Sequence, residues 1–265
     1  MRALITGTSK GIGGVTALKL ANDAIARGGT AHIAAHELVK SDAHEEMLAR
    51  IRETGAKVTA VYGDLSDPDA PARIGAEAAD AMGGIDAVLS NAGITSPASL
   101  LEMELEQWDR LFSINTRASW LLGKAVHPAL KESGGAFVII ASMSGMRPHR
   151  LMGAYSPSKA AVIMLGELMA QEWAVDGIRV NVVSPGMVRT PLTDYVYQNN
   201  EIADARAGLV PMGRVALPED IANTVAFLVG PDNTYMTGQN LLVDGGFTNS
   251  IHGHVPGRPA SGAGG

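Results

Sequence analysis

The chain has 265 residues, 46% of them hydrophobic and 18% charged, with a formal net charge of -6 at pH 7. That is the composition of a globular protein with ample core, and its acidic balance offers nothing to nucleic acid or to an anionic membrane. Zero cysteines exclude disulfides, thiol nucleophiles and cysteine-ligated metals.

The opening residues carry the positive charge of a leader, but Gly7-Thr8-Ser9-Lys10 interrupts any apolar core. No apolar run approaches the roughly 18 residues of a membrane span, so a cytoplasmic location is expected. A strand over residues 3–5 runs directly into Gly7-Thr8-Ser9-Lys10-Gly11-Ile12-Gly13, and a helical pattern follows with Val15, Leu18, Leu20, Ala21 and Ile25. Strand, glycine-rich turn and helix in that order suit a dinucleotide: bare glycines let backbone N–H groups approach a diphosphate, and the positive helix end favours its charge. A purely structural turn is the competing reading, and the two flanking elements weigh against it.

Alternation continues along the chain. Residues 30–35 read as a weak strand, 43–53 as a helix with Met47, Leu48 and Ile51 inward, and 57–62 as a strand ending at Gly63-Asp64. An alanine-rich helix over 70–82 and a strand over 85–89 come next. One long helix is expected within 105–130, with Trp108, Leu111, Phe112 and Ile114 at helical spacing. A β-branched strand at 136–141 leads to a helix over 160–175, with Tyr155 and Lys159 where it begins. A strand at 178–183, a helix at 218–229 opened by Pro218 and two acids, and a short strand at 240–243 complete the pattern. Strands alternating with helices imply a parallel sheet covered on both faces, a doubly wound α/β fold of the Rossmann type. Residues 1–250 read as a single domain, and 251–265 as a Gly/Pro-rich tail without apolar periodicity.

Ligands of such sheets bind outside the carboxyl ends of the strands. The notable residues recur there: Gly7 to Gly13, Asp64, Ser90-Asn91-Ala92-Gly93, Ser142 and Ser184-Pro185-Gly186. One site shared by all five strand ends explains them better than five unrelated loops. Tyr155 and Lys159, four residues apart, project from one helix face. An ammonium beside a phenol favours the phenolate and is expected to lower a pKa ordinarily near about 10. The hydroxyl of Ser142 is placed to share the space above the pair.

Taken together, Thr6-Gly7-x3-Gly11-Ile12-Gly13, Asn91-Ala92-Gly93, Asn115, Ser142, Tyr155-x3-Lys159 and Pro185-Gly186 resemble the short-chain dehydrogenase/reductase family, in its classical form. The pattern spans residues 2 to about 248, including Val243-Asp244-Gly245-Gly246. The resemblance implies an NAD(P)-dependent oxidoreductase that interconverts a small secondary alcohol and a ketone. Tyr155 would be the proton donor and acceptor, Lys159 would lower its pKa and hold the nicotinamide ribose, and Ser142, rather than the nearby Ser144, would bond the substrate oxygen. Asn115 would interrupt its helix and hold a proton-relaying water. The cofactor would lie on Gly7, Ser9, Lys10, Gly11, Ile12 and Gly13. It would then pass Asp64 and Leu65 at the adenine, Asn91, Ala92 and Gly93 at the ribose, and Pro185, Gly186, Val188 and Thr190 at the carboxamide.

An acid at the end of the second strand normally receives the ribose 2′-hydroxyl. Here an alanine or His36 is expected at that position, with Glu37 slightly late. Lys10 and His36 would then face a 2′-phosphate, a lean toward NADP over NAD. Loops 143–153 and 187–213 would choose the substrate, with Met143, Met146, Met152, Met187 and Tyr195 as pocket wall and Leu192, Val196 and Tyr197 in a lid. Arg147, His149 and Arg150 read as solvated bases rather than an anion site. A 3-oxoacyl carrier-protein reductase ranks second, because Ser133-Gly134-Gly135 and Gln171-Glu172 stand where those relatives present basic residues to the carrier. A catalytically silent dinucleotide sensor ranks lower still, since the tyrosine and lysine are both present. A homotetramer is expected, with Trp120, Leu121, Leu165, Leu168, Met169 and Trp173 available for contacts or, equally, for the internal core.

Overall fold

The computed structural model describes residues 1–191, 193–250 and 253. Among these, seven strands build one parallel sheet: β1 (Arg2–Thr6), β2 (His32–Glu37), β3 (Lys57–Tyr62), β4 (Ala87–Ser90), β5 (Ala136–Ile140), β6 (Arg179–Pro185) and β7 (Asn240–Val243). Their order is β3-β2-β1-β4-β5-β6-β7. The order reverses between β1 and β4, which opens a crevice at their carboxyl ends.

Both faces of the sheet are covered, which is why β5 is buried at every position and reads as a continuous apolar run. Successive side chains alternate between faces. Leu4, Val88, Ile139 and Val182 pack with Ile74, Leu122, Val126 and Val162, carried by helices α3 (Ala70–Met82), α5 (Ala118–Ser133) and α6 (Tyr155–Trp173). Their neighbours Ile5, Leu89, Val138 and Val183 pack with Leu20, Leu48, Ile51, Ile221 and Val225. Those come from α1 (Gly11–Ala26), α2 (Asp42–Glu53) and α9 (Pro218–Val229). Each fully buried leucine or isoleucine contributes about 1.5–3 kcal/mol.

Element bounds shift by a few residues at β4, β6 and α6, and three further differences from the sequence reading bear on the site. Strand β2 starts at His32 and ends at Glu37, two residues later than expected, because α1 runs unbroken to Ala26 and closes through Gly28 at φ 76. The long helix expected over 105–130 is two, α4 (Leu105–Phe112) and α5, joined by a π turn over Ser113–Arg117. The segment expected as a loop over 187–213 contains α7 (Asp194–Tyr197) and α8 (Asn200–Leu209). Leu192 and the tail, apart from Gly253, lie outside the described residues. Among the described residues no helix is long and apolar enough to cross a membrane.

Candidate active site

The turn after β1 is held to the tip of β2. Gly7 sits at φ 71, a conformation only glycine adopts without strain, and its N–H and that of Thr8 donate to the His36 carbonyl at 2.9 and 3.1 Å. Asn91, one residue past β4, donates from Nδ2 to the carbonyls of Thr6 and Gly7 at 2.8 and 3.1 Å. Gly13 is glycine for space: a Cβ there would lie 2.1 Å from the Gly7 carbonyl oxygen and 2.6 Å from Asn91 Nδ2. The first turn of α1 contains no acidic residue, so no carboxylate of its own helix neutralises its positive end. These groups fit a dinucleotide diphosphate.

From this turn a cleft of ≈ 550 Å³ follows the carboxyl ends of the strands. Its wall includes Gly7, Ser9, Lys10, Gly11, Ile12, Asp64, Leu65, Asn91, Ala92, Gly93, Pro185, Gly186, Val188 and Thr190, together with Ser142, Tyr155, Lys159, Met143, Met152 and Met187. The structure therefore gathers most of the expected residues into one space. Gly13 and Asn115 are exceptions, standing behind the wall. Met146 is another, an exposed residue whose sulfur lies 3.3 Å from Asn240 Nδ2. Tyr195 is 74% exposed and does not line the cleft; its neighbour Tyr197, two residues on, is buried and does. The short helix α7 turns these two side chains to opposite sides.

The reacting end is built where β5 meets α6. Ser142 is buried just beyond β5, and its hydroxyl accepts the Ser144 N–H at 3.1 Å. Tyr155 is raised above its ordinary pKa by burial, and a hydrogen bond with Ser142 works against that rise. Lys159 is 4% exposed and donates from Nζ to the Ile140 carbonyl at 2.9 Å. Burial lowers its pKa to about 8. Its ammonium lies 5.9 Å from the Tyr155 ring centre. The direction is opposite to the depression expected from the lysine: burial of the phenol governs, and Ser142 is what works against it.

Asn115 sits in the π turn and is 2% exposed. Its Oδ1 accepts the Ile94 N–H at 2.9 Å, while Nδ2 donates to the Ile94 carbonyl at 3.0 Å and to Ser158 Oγ at 3.1 Å. Both amide hydrogens are therefore committed, and the side chain acts as a clamp between the loop after β4 and α6.

The β2 tip changes the cofactor reading. His36 is 2% exposed, its Nε2 lies 3.0 Å from the Gly63 carbonyl, and burial lowers its pKa. It edges the cleft, and its lowered pKa leaves the ring little positive charge to offer a phosphate. Glu37 ends the strand and lines the cleft, with Oε2 accepting the Ser9 N–H at 3.1 Å and Oε1 the Leu38 N–H at 3.0 Å. Burial pushes the Glu37 carboxyl up, but these hydrogen bonds prevail and hold its pKa below the ordinary value. The two-residue shift of β2 brings to the strand end the acid that the sequence reading placed slightly late. Arg206 and Thr193, also in the wall, carried no motif that could single them out.

Comparison with known proteins agrees with this geometry. Residues 7–248 match the family model described as enoyl-(acyl carrier protein) reductase. Dehydrogenase/reductase SDR family member 4 of Bos taurus is 32% identical over 250 residues, covering 92% of this chain and 86% of its own length. The 3-oxoacyl-(acyl-carrier-protein) reductase of Synechocystis sp. is 34% identical over 246 residues, covering 92% of this chain and 95% of its own. Among solved structures, a candidate NAD(P)-dependent gluconate 5-dehydrogenase of Beutenbergia cavernae with NADP bound at low occupancy superposes with a TM-score of 0.82 at 34% identity, covering 94% of this chain and 96% of its own. Fold, cleft and sequence converge, and the chain belongs to the short-chain dehydrogenase/reductase family.

Proposed function

We propose that the protein interconverts a secondary alcohol and a ketone, with Tyr155 as the group that gives or takes the proton. The observation that carries this reading is the meeting of Ser142, Tyr155 and Lys159 in the same cleft as the glycine-rich cradle. A bound nicotinamide supplies or accepts the hydride. In reduction the Tyr155 hydroxyl protonates the carbonyl oxygen, and Ser142 donates a second hydrogen bond to it. Lys159, held by the Ile140 carbonyl, orients toward the ribose hydroxyls and lends positive charge as Tyr155 becomes a phenolate. Asn115 positions α6 by bonding Ser158 and the 94 backbone. A screen of ketones and secondary alcohols with both nicotinamides, followed at the nicotinamide absorbance, should find turnover. Tyr155→Phe should lower it at least about a hundredfold; a folded Tyr155→Phe protein with full activity would remove this assignment.

The Glu37 carboxylate supports NAD(H) over NADP(H), reversing the lean read from His36. A ribose 2′-hydroxyl can donate to Glu37, whereas a 2′-phosphate would meet a like charge at close range. Lys10 stands at the cleft rim and favours any phosphate, so it does not separate the two.

The same reading includes a homotetramer. Trp120, Met164 and Leu168 stay 48%, 64% and 50% exposed on α5 and α6, beside a groove lined by Phe112, Thr116 and Leu165. Met169 and Trp173, open to either a contact or a core role from sequence, face inward: Met169 is 3% exposed and Trp173 sets its ring edge-on to Phe137. A monomeric mass in solution would remove this proposal.

A further inference from the structure

The substrate end of the cleft is not electrically neutral. The cleft wall contains two carboxylates among the described residues, Glu37 and Asp64, and both stand at the tips of β2 and β3. The rest of the wall holds no acid among the described residues. It does hold Arg206, from α8, and His149, from the loop before α6.

Arg206 is held rather than loose. Its guanidinium carbon lies 5.4 Å from the centre of the Tyr197 ring, and Nη1 reaches the Tyr197 hydroxyl at 3.4 Å. Tyr197 is 5% exposed and is stacked from its other neighbour by Arg189, whose guanidinium carbon lies 5.8 Å away. The two arginines differ in one respect. Arg189 is neutralised by Asp194 at 2.9 Å, whereas Arg206 has no carboxylate partner among the described residues. A half-buried guanidinium, oriented on a ring and unpaired, presents its remaining donors to the cleft. Its fork geometry matches a carboxylate. Of the other cations in the wall, Lys159 is bonded to the Ile140 carbonyl, Arg110 lies 3.7 Å from Asp64 and Lys10 belongs to the glycine-rich turn, so the single unpaired guanidinium of Arg206 suits a monoanion better than a phosphate dianion.

We propose that the substrate is a keto acid or hydroxy acid, and that Arg206, set by Tyr197, grips its carboxylate while the carbonyl carbon sits at Tyr155. Arg206 would then be the specificity-determining residue of the lid, and α8 would close only over an anionic substrate. This inference rests on the alcohol–ketone reading of the Tyr155 centre.

The test compares keto acids, with the carboxylate two to five carbons from the carbonyl, against their methyl esters. The native enzyme should prefer the acid at least about tenfold in kcat/KM. Arg206→Leu should collapse the acid-to-ester ratio by about ten- to a hundredfold, through KM for the acid, and Arg206→Lys should restore part of it. Equal use of acid and ester by the native enzyme would overturn the proposal. So would an Arg206→Leu protein with an unchanged ratio and a raised KM for the dinucleotide, which would assign the guanidinium to the cofactor diphosphate. Calorimetric titration of the dinucleotide-saturated enzyme with the same acids and esters separates the two readings. Tighter binding of acids without any turnover would sink the reaction at Tyr155 but keep the anion site, and equal binding would sink the anion site alone.

Discussion

Lys159 Nζ donates to the Ile140 carbonyl at 2.9 Å, so the ammonium of α6 is fastened to the last residue of β5 directly beneath the reacting end of the cleft. The bond compensates only part of the desolvation, since burial still lowers the lysine to about 8 from the ordinary 10.5.

That depression is a stability statement. Between about 8 and 10.5 the unfolded chain binds more protons at this lysine than the folded one, so stability rises with pH across that window. Below it both states are charged and the cost is fully present, roughly 3 kcal/mol. Lys159→Met should therefore unfold at higher denaturant than the native protein at pH 7, with the gap shrinking by pH 10, while activity is lost. Chemical denaturation at the two pH values reads this; a gap that widened with pH would contradict the assignment.

Ser142 opposes the upward push that burial exerts on Tyr155. Ser142→Ala should move the Tyr155 pKa still higher and lower kcat by about a hundred- to a thousandfold. Alcohol oxidation needs the phenolate as base, so its rate should rise with pH later in the variant than in the native enzyme. The pH profile of kcat measures the displacement.

Asn115 satisfies both polar groups of the Ile94 backbone and one hydroxyl of α6. Asn115→Ala takes the side-chain partners from both Ile94 backbone groups, while Ser158 keeps its bond to the Tyr155 carbonyl, and should destabilise the fold by about 2–4 kcal/mol. Because the lost contacts also register α6, kcat should fall without a change in the pH profile. Urea unfolding and steady-state kinetics report the two effects separately.

Glu37→Gln removes the charge a 2′-phosphate would meet yet retains an acceptor. The NAD-to-NADP ratio of kcat/KM should fall at least about tenfold, chiefly through KM for the phosphorylated cofactor. Gly13→Ala makes a sharper prediction. Its methyl would meet the Gly7 carbonyl at 2.1 Å, a backbone contact that cannot give way. The turn must shift, so dinucleotide affinity should fall at least about tenfold and stability by about 1–3 kcal/mol, both readable by thermal shift with and without cofactor.

Much of this arrangement was legible in the residues themselves. Glycine turns and apolar runs punctuate β1, β4 and β5 clearly, so the residues at their carboxyl ends could be assigned to one edge before any coordinates. Glu37 was misplaced because His32-Ile33-Ala34-Ala35 has no feature that distinguishes strand start from strand end; the register comes from pairing Thr6 with His36, a nonlocal fact. The depressed phenol failed for a related reason. Spacing shows that Tyr155 and Lys159 share a helix face, but not that Lys159 turns to Ile140 and leaves burial to govern the phenol. Arg206 lay in a segment read as loop, where its side chain had no predictable direction.

The π turn over Ser113–Arg117 has a consequence for how this chain tolerates length changes. A π turn accommodates one residue more than the α-helix that contains it. Deleting a single residue there would let α4 and α5 fuse into a regular helix, each keeping its own buried face, while the residues of the turn itself would be drawn back into the helical register. The chain would remain helical and α5 would still bury Leu122 and Val126, yet Asn115 would swing off Ile94. A deletion silent by helix content would thus detach the loop after β4 from α6, making this one surplus residue a determinant of the enzyme rather than of its fold.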